Sequence, residues 1–246
     1  MTIVDGFLAV FMLLVSALYT TVGHAGASGY LALMGLFGVA PAVMRPTALV
    51  LNIVVSSFTT WRFLRVGLFR WRTLWPFLVS AIPMGFAGGM LSLPNHLWRP
   101  LVGIILFVAA ARFLFPRMFS PAPDVRDPPI FPAVACGAVI GFLSGLTGTG
   151  GGIFLSPLLL VLGWSPVRVA SGVSALFIWF VSAAGLLGNL SSLHALPLEL
   201  PIYLGAVLTG ALIGTSLGTS RLSPAGILKA LGCVLMVAGF KLLGFY

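Results

Sequence analysis

The residues best able to do chemistry gather in two glycine-rich stretches, Gly23-His24-Ala25-Gly26-Ala27-Ser28-Gly29 and Thr147-Gly148-Thr149-Gly150-Gly151-Gly152. Glycine tolerates left-handed backbone and lets a chain come close to a ligand, so such stretches interrupt helices. A helix that restarts after the interruption presents unpaired N–H groups and roughly half a positive charge, a combination that holds anions. Ser28, Thr147 and Thr149 add hydroxyl donors. His24 is the single Asp, Glu, Lys, Arg or His between Asp5 and Arg45. Imidazole ordinarily titrates near neutral pH, so His24 suits a proton carrier as well as a plain hydrogen-bonding group.

Three residues outside the glycines extend this set. Arg45 and Arg168 follow Pro41 and Pro166 at the starts of corresponding apolar segments. They are expected to guide anions at two opposite mouths, or to snorkel toward headgroups. Asn52 is seven positions past Arg45, which puts both on one helical face, with Ser56, Ser57 and Thr59 nearby. An intramembrane Asn also serves as glue between helices.

Other chemistries find less support. Gly26-Ala27-Ser28-Gly29 fits the Gly-x-Ser-Gly of intramembrane serine proteases, but His24 is four residues away and His96 and His194 fall in expected loops. A serine nucleophile needs a base within hydrogen-bond reach. The sequence has no Walker loop, no metal-ligand spacing and no carboxylate pair, since Asp5, Asp124, Asp127 and Glu199 lie near ends or loops. No enzyme activity, metal or cofactor is expected. Cys136 and Cys233 fall in apolar runs and read as packing residues.

The elements that position these residues are membrane spans. Of 246 residues, 59% are hydrophobic and only 7% charged, against roughly 25% charged in a soluble domain. From Pro128 to Val167 there is no Asp, Glu, Lys, Arg or His, a tract about twice the ~20 residues that cross a bilayer as a helix. Met1-Thr2-Ile3-Val4-Asp5 lacks the basic start of a cleavable signal, so the first apolar run is expected to remain as a span. The net charge of +9 sits in short loops rather than a basic domain, which argues for membrane orientation and against nucleic acid.

The chain reads as two related halves. At a constant offset of 125, Gly23 meets Gly148, Gly26 meets Gly151, Leu33 meets Leu158, Gly38 meets Gly163 and Pro41 meets Pro166. Gly85 and Gly89 likewise meet Gly210 and Gly214, and after a four-residue slip Arg112 meets Lys241. The expected organisation is a first transmembrane repeat over 1–118, a linker over 119–128 and a second repeat over 129–246. Hydropathy gives five segments per half, at 4–22, 28–40, 46–64, 74–92 and 99–115, then 130–147, 152–163, 168–188, 199–217 and 224–243. The second of each half is too short to span and follows a glycine cluster, so it is expected to be a half-helix after unwound chain. The fold class is therefore an all-α integral membrane protein.

If each half contributes an odd number of crossings, the halves are inverted. Arg62, Arg65, Arg70, Arg72, Arg112, Arg117, Arg126, Arg168, Arg221 and Lys229 then share one face, against Arg45, Arg99 and Lys241 on the other. Parallel halves divide the cations eight against five, a weaker bias. Inverted repeats with broken helices recur among secondary transporters.

The stretch Gly141-Phe-Leu-Ser-Gly-Leu-Thr-Gly-Thr-Gly-Gly-Gly-Ile-Phe-Leu-Ser-Pro157, with Gly163 and Ala170-Ser171, resembles the sulfite exporter TauE/SafE family. The first half resembles it through Gly23-His-Ala-Gly26 and Arg45-Pro46-Thr47-Ala48-Leu49 with Asn52. Ala25, Ala27 and Ser28 replace Gly150, Gly152 and Ile153, so the two loops are not strictly equivalent. The resemblance implies an inner-membrane permease for sulfite, sulfonates or related compounds, and it adds Ser171 to the candidate substrate-binding residues. The expected partners are the lipid bilayer, a small sulfur-containing anion and protons as the coupling ion. A dipole-lined anion channel and a non-transporting assembly factor are the competing expectations.

Overall fold

The computed structural model describes residues 3–115, 125–219 and 225–244. Arg117, Asp124, Arg221, the 1–118 boundary and most of the expected 119–128 linker lie outside the described residues, as does the side chain of Lys229. The described chain holds ten α-helices: α1 (Ile3–Thr21), α2 (Ala27–Leu36), α3 (Pro41–Arg65), α4 (Trp71–Met90), α5 (Asn95–Leu114), α6 (Ile130–Thr147), α7 (Gly152–Val161), α8 (Val167–Gly188), α9 (Leu200–Thr219) and α10 (Ala225–Leu243). Six of them are long and apolar enough to cross a bilayer. Their outward faces carry large apolar side chains such as Phe11, Val79, Phe86, Ile104 and Val139, as a lipid-facing surface requires.

Two helices start well before the hydropathy reading places them. α3 begins at Pro41 rather than at 46, and α5 at Asn95 rather than at 99. Pro46 and Pro100 sit inside these helices, and each lies early enough that little of the hydrogen-bond ladder precedes it. Pro41 opens α3, where a missing N–H costs nothing. The uncharged loop expected over 189–198 contains a 3-10 turn at Leu190–Ala195.

The half-helices are present as expected. α2 and α7 have ten residues each, about 15 Å at 1.5 Å per residue and half of a bilayer core. Both start from a glycine in the left-handed region, Gly26 at φ 103° and Gly151 at φ 76°, and neither has a side-chain cap. Both end alike. Val39 N–H donates to the Met34 carbonyl and Trp164 N–H to the Leu159 carbonyl, around the left-handed Gly38 and Gly163. This is the Schellman closure of a helix end. Gly23 and Gly148 are left-handed too, so the same backbone shapes recur at the offset of 125.

Helices far apart in sequence pack on one another. α4 packs along α6 with backbone against backbone: a Cβ added at Gly137, Gly141 or Gly145 would strike the carbonyls of Phe77, Ala81 and Gly85 in turn. α1 and α9 repeat the arrangement, with Gly210 on the Leu13 carbonyl and Gly214 on that of Ala17. Both pairs run in the same direction. At the centre α3 and α8 run in opposite directions, with Leu49 by Gly185, Asn52 by Ser182 and Phe63 by Gly172. One buried cluster joins α1, α2, α3, α5, α9 and α10 and takes in Ile153 of α7 and Ile178 of α8, and a second joins α4, α6, α7 and α8.

Candidate anion site between two helix breaks

The two breaks meet. His24 Nε2 lies 2.9 Å from the Gly152 carbonyl. Together with Gly26, Ser28, Asn52, Thr149 and the side chain of Ile178, these residues line one small cavity. Gly26 and Ala27 bring the first turn of α2 to it, and Gly152 and Ile153 bring the first turn of α7. The cavity measures about 10 Å³, the room for one water. Its polar lining is buried, and an anion of several atoms would require the breaks to part.

Each expected residue has a definite place. Asn52 is 1% exposed. Its Nδ2 donates to Ser182 Oγ at 3.2 Å and also packs on Gly150, while Oδ1 has no partner among the described residues. Turning the amide over lets Ser182 donate to Oδ1 and frees the NH2 for the cavity, so the group can serve as acceptor or donor. Ser28 Oγ bonds the Tyr19 hydroxyl at 2.7 Å. When tyrosine donates, the serine proton is free for a ligand. Thr147 Oγ1 donates to the Leu143 carbonyl at 2.6 Å and sits 3.0 Å from Thr149 Oγ1. Its proton is committed to α6, and of the two threonines only Thr149 lines the cavity. Gly151 abuts Ser144 Oγ, a buried hydroxyl without a partner among the described residues.

His24 is 2% exposed, with Nδ1 3.1 Å from the Val22 carbonyl and Nε2 3.1 Å from Arg112 Nη1. Arg112 is always a donor. The ring therefore accepts from it as the Nδ1–H tautomer, or turns Nε2–H toward Gly152. Ser28 and His24 have no bond to each other among these contacts, so the hydroxyl lacks the base that serine hydrolysis needs.

Arg45 and Arg168 separate. Arg168 is exposed, and its neighbour Ser171 backs onto Gly23 at the first break. Arg45 is 6% exposed and makes five hydrogen bonds, to the carbonyls of Gly88, Gly89, Leu91 and, twice, Gly145. These are carbonyls at the closing ends of α4 and α6, which attract a cation. Its backbone and stem press on Gly148 at the second break. Its other side lines an open cavity of about 290 Å³ with Ser92, Asn95, Trp98, Asn189 and His194. Arg45 and Asn52 thus share a helix but serve different cavities. Ser56 and Thr59 are buried and bonded to carbonyls of α3 itself, so of these polar residues Asn52 is the one that lines the small cavity.

Sequence reasoning missed Arg112, Tyr19, Ile178 and Ser182 as parts of this site. A signal existed for one of them: Arg112 is the sole charge in the apolar run 101–115.

A polytopic helical chain whose two broken helices converge on a small polar cavity has the build of a membrane transporter. The chain belongs to the sulfite exporter TauE/SafE family, whose profile ("Sulfite exporter TauE/SafE") matches residues 8–242. It is 39% identical over 239 residues to the "Probable membrane transporter protein y4hK" of Sinorhizobium fredii, covering 96% of this chain and 97% of that one. It is 26% identical over 149 residues to the "Probable membrane transporter protein MJ0441" of Methanocaldococcus jannaschii, covering 59% and 55%. No solved structure matches the chain.

Proposed function

We propose that this membrane transporter is a secondary permease for small sulfur-containing anions, sulfite or organosulfonates, working in the inner membrane and driven by the proton gradient. One observation carries the reading: two half-length helices with uncapped first turns face one small cavity that also holds the Asn52 amide, whose Oδ1 has no partner among the described residues. Donors and positive dipole ends around a buried pocket favour an anion. The sulfur chemistry comes from the family, because fold and dipoles alone do not choose among anions. His24 is the candidate proton carrier, with ring nitrogens shared between carbonyls and a cation.

The halves 1–118 and 129–246, joined by 119–128, are read as inverted repeats. Opposite directions in the α3–α8 pair favour inversion over parallel duplication, which would run those helices the same way. Transport would rock the cluster of α1, α2, α5, α9 and α10 against that of α4, α6 and α7, opening the cavity first to one side and then to the other. Arg45, standing between the 290 Å³ cavity and Gly148, would form the gate on its side.

Purified protein in liposomes is expected to take up sulfite saturably, at a rate that follows an imposed pH gradient. Unsaturable flux indifferent to that gradient would instead identify an anion channel. If sulfite, sulfonates and thiosulfate neither cross nor raise the melting temperature, the reading fails.

A further inference from the structure

We propose that Arg112 sets the charge of the anion this site accepts, matching it to a doubly charged oxyanion rather than a singly charged sulfonate. The assignment rests on the anion-transport reading and adds the substrate's charge to it. Arg112 is in the last turn of α5, and its guanidinium docks on His24 Nε2 at 3.1 Å and on Ser156 Oγ of α7 at 2.8 Å. Those are its hydrogen-bond partners among the described residues, and its charge centre also lies 5.9 Å from the Phe113 ring. The one ion pair found there is Arg70–Asp127, on the exposed surface. A guanidinium has five N–H groups and stays charged in proteins. Among the described residues no carboxylate balances it, although uncompensated charge is expensive inside a membrane.

Charge counting gives the specificity. The first turns of α2 and α7 each bring roughly half a positive charge to the cavity, and Arg112, one side chain behind His24, brings a whole one. The last turn of α1, whose Tyr19 lines the same cavity, takes back about half a charge, so the site totals roughly one and a half positive charges, the largest share of it from Arg112. The end of α5 has the opposite sign, but helical side chains lean toward the amino end, and the guanidinium lies on His24 and Ser156 instead. The whole charge of Arg112 attracts a dianion about twice as strongly as a monoanion, so its presence moves the preference toward the dianion. Arg45 does not enter the count, since its charge is spread over carbonyls at the ends of α4 and α6. In this structure His24 fills the gap between Arg112 and the cavity. A turn of the imidazole as the breaks part would bring guanidinium and substrate into contact.

The test uses two anions of nearly equal shape, sulfate and methanesulfonate, titrated into the purified full-length protein with thermal stabilisation as the readout. In Arg112→Gln the preference for sulfate over methanesulfonate should fall by about tenfold or more relative to wild type. Arg112→Lys should keep the preference, and an equal loss in both variants would refute a role for charge. A merely structural strut would lower the ligand-free melting temperature and leave the ratio alone, which overturns the assignment. Sulfite in wild type gives a check that needs no variant. Its affinity should rise with pH as bisulfite yields the dianion, while methanesulfonate stays level, and a flat or falling sulfite profile refutes dianion selection. Binding of neither anion by wild type would remove the underlying reading itself.

Discussion

Arg45 gives all its recorded hydrogen bonds to main-chain carbonyls at the ends of α4 and α6. Truncating it strands those buried acceptors, so Arg45→Ala should cost about 3 kcal/mol in thermal unfolding, in line with breaking other buried charged contacts. Arg45→Lys should recover only part, because an ammonium lacks the planar fork that reaches several carbonyls. Asn52→Leu should act in the opposite sense: little loss of ligand-free stability, because an unpaired buried oxygen is removed, with loss of stabilisation by sulfite. His24, Asn52 and Thr149 were legible because polar groups are rare in these apolar runs and each needs a reason. Thr147 and Thr149 look alike in sequence, but the last turn of α6 carries one hydroxyl to its own backbone and leaves the other at the cavity. Arg112 was read only as an orienting charge, since nothing local brings α5 to the first break.

At the scale of elements, the breaks depend on glycine in a specific way. Gly151 has a left-handed φ of 76°, and a Cβ there would lie 2.6 Å from Ser144 Oγ and 2.8 Å from the Phe177 ring. Gly151→Ala should therefore cost about 1–2 kcal/mol in backbone strain and add a clash beside it. The half-helix would tilt off the cavity, and sulfite stabilisation should disappear before folding does. Gly145→Ala tests the α4–α6 seam, where the new methyl meets the Gly85 carbonyl. A loss of roughly 1–3 kcal/mol is expected from overpacking, read as a lower melting temperature with anion affinity nearly intact. The half-helices were legible because short apolar segments after glycine clusters cannot cross a bilayer. The true start of α3 was hidden by Pro46, which reads as a breaker in sequence but is tolerated early in a helix.

For the whole molecule, inversion makes a labelling prediction. A single cysteine at Gly67, in a background where Cys136 and Cys233 are replaced, should react with a membrane-impermeant thiol reagent only from the arginine-rich side, the cytoplasm by the positive-inside rule. One at Ser192 should react only from the opposite side. Labelling of both from one side would support parallel halves. Composition announced the membrane, and the offset of 125 anticipated the left-handed glycines and half-helices that recur at matched places. Which helix would lie beside which was unreadable, because apolar faces in lipid carry no address. The packing of α4 on α6 and of α9 on α1 has its own consequence. Each half keeps its helix break in the company of a helix borrowed from the other, so neither fragment owns a finished interior. Cut within 119–128 and made separately, the two pieces should be degraded or aggregate; made together, they should reassemble into a transporter, as two hands clasp only when both are present.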